Sequence, residues 1–147
     1  MKSFVQSIGI AAGFLLLTGV HPASAQMTEQ VEFTTTFPFA VGAANVPAGT
    51  YTLRPDDHDP MVLELAGKNV SVLFLTDTIE ARQSPATSEI VFKRYGDRYV
   101  LKDVWMQGST TGAEAIAAEA EKHAAARGET ATDYRVSALK GKQSNRR

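Results

Sequence analysis

The chain has 147 residues, no cysteine, and 16 acidic against 15 basic side chains, for a net charge of −1. The lack of cysteine excludes disulfides, thiol catalysis, iron–sulfur clusters and cysteine-ligated zinc. Near-neutral charge argues against nucleic acid as a partner.

Lys2, the apolar run Ile8–Val20 and the small residues Ala23-Ser24-Ala25 together read as a secretory signal peptide over residues 1–25, with the cut before Gln26. The run falls short of the ~20 apolar residues that a spanning helix needs, and Thr18, His21 and Pro22 interrupt it. The expectation is a protein exported to the periplasm or beyond, with no membrane span in the mature chain. Removing residues 1–25 leaves a length that suits one domain with one core. The mature balance is −2.

Residues 26–30 read as a polar leader, and residues 31–128 as the β domain. Val31 to Phe37 alternates apolar and polar residues and is rich in Thr, the period-2 signature of a half-buried strand. Pro38 cannot donate to a ladder, so the strand breaks there before Phe39 and Val41 resume it. Pro47-Ala48-Gly49 predicts a hairpin turn with Gly49 left-handed, returning through Tyr51 and Leu53. Met61–Leu65 and Val70–Leu75 form a second predicted hairpin around Gly67-Lys68-Asn69. The second arm, apolar on both faces, is expected to be a covered central strand. Thr76 to Thr87 reads as a loop. Glu89–Tyr95 and Tyr99–Trp105 make a third hairpin around Gly96-Asp97-Arg98.

From Thr111 the pattern changes. Thr111-Gly112-Ala113-Glu114 has capping-box spacing, and Ala-rich sequence runs to Arg127 with Gly128 placed to stop a helix. The spacing predicts a helix over about 111–127 with a shallow stripe of Ile116 and alanines that buries little area. Residues 129–147, with a charge of +3, read as a flexible basic tail. The predicted architecture is mainly β: an antiparallel meander of about seven strands in a small barrel or curved sheet, followed by one C-terminal helix.

Phe37-Pro38-Phe39-x-Val41-Gly42, Pro47-Ala48-Gly49-Thr50-Tyr51, Phe92-x-Arg94-Tyr95-Gly96-Asp97-x-Tyr99 and Val104-Trp105-x-x-Gly108 resemble the recurring pattern of a family of small exported bacterial β-proteins of unknown function. The resemblance spans roughly Val31 to Arg127. Its motifs fall on turns and aromatic core positions, so it implies a fold and brings no activity.

Asp56-Asp57-His58-Asp59 is the one dense group of candidate metal ligands, offering hard oxygens and an imidazole. It lacks the frame of a calcium loop and lies between two prolines, where Asp also serves turn formation. A serine triad has little basis, because no Gly-x-Ser-x-Gly elbow is present and only His58 and His123 remain after the leader. Gly108–Gly112 offers backbone N–H groups to an anion if it opens a helix, without the lysine of a phosphate loop. The aromatic residues from Phe33 to Trp105 either fill the core or line an apolar cavity. No cofactor motif is found. The leading expectation is a non-enzymatic binding or interaction module whose partner is a small apolar ligand or an envelope protein. The rivals are a hydrolase or metal-dependent enzyme using Asp56–Asp59, and a carrier of an apolar ligand in a barrel cavity.

Overall fold

The computed structural model describes Met27, residues 29–117 and residues 119–141. The expected signal peptide and its cut lie outside the described residues, as do residues 142–147 of the expected tail. Among the described residues there are eleven strands and one helix: β1 (Val31–Thr35), β2 (Phe39–Val41), β3 (Ala44–Val46), β4 (Gly49–Pro55), β5 (Val62–Ala66), β6 (Ser71–Glu80), β7 (Glu89–Tyr95), β8 (Arg98–Trp105), β9 (Thr111–Ala115), α1 (Glu119–Ala126), β10 (Thr132–Ser137) and β11 (Leu139–Lys140).

The period-2 runs become strands whose burial alternates with the sequence. In β1, Val31, Phe33 and Thr35 are buried while Glu32 and Thr34 are exposed. Pro38 separates β1 from β2, as its missing N–H requires. Two hairpins have two-residue loops with glycine first, Gly42 between β2 and β3 and Gly96 between β7 and β8. Their φ angles of 56° and 60° suit that position of a tight hairpin turn and disfavour a side chain.

Pairing runs in one path, β10-β7-β8-β9-β6-β5-β4-β1-β11, with the β2–β3 hairpin attached to β8. The sheet is mixed, because β2 lies parallel to β8 where the other ladders are antiparallel. It is not closed into a barrel by pairing between its two ends. Those ends, β10 and β11, are consecutive pieces of chain joined through the buried Ala138. Long β6 also serves two neighbours, pairing β5 through Ser71–Leu75 and β9 through Thr76–Glu80. Strands that change partner at a bend let one sheet fold over its own core.

That core draws on both parts of the path: Val31, Phe33, Leu53, Leu63, Leu65, Ile90, Phe92 and Leu101 are at most 2% exposed. Phe92 has Phe39, Phe37 and Phe33 around it at ring-centroid distances of 5.1, 5.3 and 6.2 Å. Phe37 also stacks on Tyr99 at 3.8 Å and meets Tyr134 edge-on at 5.4 Å.

Several expectations are overturned, each by pairing between distant segments. The segment 76–80, read as loop, is strand because β9 pairs with it. Leu73 and Leu75 are 61% and 54% exposed, so this arm of β6 is covered on one side only. The turn at Pro47–Gly49 joins β3 and β4, but these strands pair with other partners, so it is a corner and not a hairpin. The left-handed conformation expected of Gly49 is absent. What holds the corner is Tyr51, whose hydroxyl donates to the Pro47 carbonyl at 2.6 Å. Tyr51→Phe removes that bond from a residue 4% exposed and is expected to cost about 1 kcal/mol, read as a lower urea midpoint with unchanged slope.

The helix is shorter than the sequence implies. Thr111–Ala115 is strand β9, held between β6 and β8, and α1 starts only at Glu119. Gly112 lies beneath the Trp105 ring, where a Cβ would come within 2.7 Å of it, and glycine contributes nothing to helix formation in return. The stop is as expected: Gly128 takes φ 70°, its N–H bonds Ala125 O, and the Glu129 N–H bonds Ala124 O. Little of α1 is buried apolar surface; Ala124 meets Tyr95 and Val100 on the outer side of the sheet. The expected tail supplies two strands. β10 pairs with β7 over six residues, and β11 pairs with Val31 and Glu32 of β1.

Candidate functional site

Asp56, Asp57, His58 and Asp59 lie in the loop joining β4 to β5. Asp56 Oδ1 accepts from the His58 N–H at 2.9 Å and the Asp59 N–H at 3.1 Å, and Asp59 Oδ1 accepts from the Met61 N–H at 2.9 Å. The His58 N–H, helped more weakly by that of Asp59, holds the Asp56 carboxyl below its ordinary range. Two of the three carboxylates therefore stabilise a turn, as Asp does in such loops. Among the described residues no three His, Asp or Glu side chains converge as metal ligands would.

A concave site lies elsewhere. The segment before β1 crosses the β8–β9 loop and leaves a cleft of about 360 Å³. Val104, Met106 and Ala113 give it an apolar floor, while Glu29, Ser109 and Thr111 supply polar groups; Met27 closes one side. Each wall has a structural reason. Val104 and Ala113 are register partners across β8 and β9. The loop between those strands is shaped by Gly108 at φ 76°, by the Gln107 N–H donating to Ser88 Oγ at 2.9 Å, and by the Gly108 N–H donating to Pro85 O at 3.1 Å. Glu29 is held by an ion pair with Lys140 of β11.

The chemistry available there is that of binding. Ser109 is engaged with Thr111: its Oγ lies 2.9 Å from Thr111 O, and the Thr111 N–H donates to it at 3.1 Å. Neither His58 nor His123 is among the residues lining the cleft, so the hydroxyl has no histidine base there. The anion reading of Gly108–Gly112 falls with the helix it needed. This stretch is loop and strand, and the N–H groups of Gly108, Ser109 and Thr111 donate within the protein.

Sequence reasoning passed over Met27, Glu29, Met106 and Gln107, because each is ordinary in its own segment and gains meaning only where the segments cross. Gly108, Ser109, Thr111 and Gly112 had drawn attention as an anion-binding stretch, and Val104 and Ala113 for strand and helix patterning, none of them for this cleft. The fold and cleft define a mainly β domain with an amphipathic groove; among the described residues no helix is long and apolar enough to cross a membrane. No family model, curated protein or solved structure matches the chain.

Proposed function

We propose that the protein is a non-enzymatic binding module, exported as its N-terminal sequence implies, that holds a small amphipathic ligand in the cleft between the pre-β1 segment and the β8–β9 loop. The observation that carries this reading is the cleft's mixed lining, in which the apolar Val104, Met106 and Ala113 meet the polar groups of Glu29, Ser109 and Thr111, as an amphipathic ligand requires. At about 360 Å³ it suits a small molecule rather than a macromolecule. The hydrolase reading has less support, because Asp56 and Asp59 are engaged in capping their own loop. An apolar carrier of the barrel type has less support too, since Phe33, Phe37, Phe39 and Phe92 pack against one another in the interior.

Gln107→Trp tests the reading. Gln107 is exposed at the cleft and its structural hydrogen bond uses the backbone, so the indole obstructs the mouth without removing a packed side chain. Stability should stay within about 0.5 kcal/mol. Native mass spectrometry of protein purified from its producing cells is expected to show a retained small molecule in the parent chain and none in Gln107→Trp. The same retained mass in both proteins, or none in either, would overturn the assignment.

A further inference from the structure

β10 stands at one end of the pairing path, where β7 takes one of its edges and no strand among the described residues takes the other. Natural sheets guard such an edge with lysine, proline or a bulge. β10 has no lysine or proline, its ladder with β7 runs without a shift of register, and Thr132, Asp133, Tyr134 and Arg135 are exposed. The charges it carries, on Asp133 and Arg135, are opposite, so they repel an approaching copy of the strand only in a wrong register.

The backbone says which register is right. Along an antiparallel strand, successive residues turn their N–H and C=O groups to opposite edges. The Ala138 N–H donates to Ser88 O at 2.8 Å in continuation of the β10–β7 register, so the even-numbered residues of β10 turn toward β7. Asp133 and Arg135 therefore present theirs to the open edge. A second β10 laid antiparallel, with a two-fold axis through Tyr134, sets each Asp133 opposite the other copy's Arg135. In that register the outward N–H and C=O groups of both residues find partners, and opposite charges face each other at both positions. Sliding the copy to the next register that keeps the faces matched brings Asp133 against Asp133 or Arg135 against Arg135. Tyr134, 41% exposed, meets its own counterpart on the axis as a non-hydrogen-bonded pair, where cross-strand side chains stand closest.

We propose that β10 is a self-recognition edge through which two copies of the protein join antiparallel, with Asp133 and Arg135 fixing the register. Contacts within the chain leave both charges able to take part. Asp133 Oδ1 lies 3.6 Å from Lys102 Nζ, too far for a hydrogen bond, and the Arg135 guanidinium, paired with Glu89 through Nη1, keeps further donors. A foreign strand has to carry the reversed charge order to fit this edge, whereas a second copy supplies it by symmetry. One short ladder makes a small interface, so a dissociation constant of about 10–100 μM is expected.

Sedimentation velocity over a concentration series spanning that constant tests it on the full chain after leader removal. The parent is expected to pass from monomer to dimer. Asp133→Arg and Arg135→Asp each set like charges opposite one another at both positions and should weaken association about tenfold or more. Mixed in equal amounts, the two variants should join as a heterodimer at about the parent's strength, because every facing pair is again opposite in charge. The double variant Asp133→Arg/Arg135→Asp restores opposite pairs within one chain and should dimerise as the parent does. Both side chains are exposed, so the fold should survive each change, and circular dichroism of every variant checks that it has. A parent that stays monomeric throughout, dimers untouched by either single substitution, or folded variants that recover association neither when mixed nor in the double would overturn the proposal.

Discussion

A chain ending at Gly128 is expected to lose cooperative folding altogether, although the residues removed read in the sequence as a dispensable tail. The deletion takes away β10, which pairs with β7 from Glu89 to Arg94. It also takes Ala138, 5% exposed in the core, Val136 packed against that core, and the β11 contacts to the start of β1. Six ladder positions at about 1 kcal/mol each, with the apolar burial added, amount to most of the roughly 5–15 kcal/mol that a domain of this size possesses. Far-ultraviolet circular dichroism and urea unfolding of the chain ending at Gly128, beside one ending at Gly141, give the comparison. A shortened chain that unfolds cooperatively at the longer chain's midpoint would show that β10 is not part of the stable sheet.

Phe92→Ala is expected to have the largest effect of any single side-chain truncation. Phe92 is 0% exposed, and its ring is enclosed by Phe33, Phe37 and Phe39 from both arms of the chain before β3. Emptying that position costs the transfer free energy of the ring plus the cavity left behind, about 3–5 kcal/mol together. At roughly 4 °C per kcal/mol for a domain of this length, the melting temperature should fall by at least about 12 °C. Leu73→Ala is the matched control, because Leu73 is 61% exposed and its truncation should stay within about 0.5 kcal/mol. Equal losses from the two substitutions would mean that the aromatic cluster is not the centre of the core. Calorimetry of the three proteins at one pH decides it.

The contrast between Phe92 and Leu73 also marks how far local pattern reaches. Both are large apolar residues in strands, and alternation alone identifies the strands. Which face is covered depends on what lies above it. The apolar run of β6 reads as doubly buried, yet Leu73 and Leu75 face outward because no element packs over them. The cross-strand registers were less legible still. Glu114 has the spacing of a capping-box glutamate, and only its two ladders turn it into the middle of a carboxylate row.

β1, β2, β4, β5, β7, β8 and the first half of β6 follow from alternation of apolar and polar side chains with glycine and proline between them, and the helix stop at Gly128 follows from its freedom to take a left-handed turn. These are local effects, carried by side chains within a few residues. The strand character of Thr111–Ala115 and Thr132–Lys140, the crossing that makes the cleft, and the register that aligns Asp77, Glu114 and Asp103 were decided by the tertiary structure. Those segments carry a weak apolar signal, and their backbone hydrogen bonds are satisfied by partners far away in the chain, which no local pattern records.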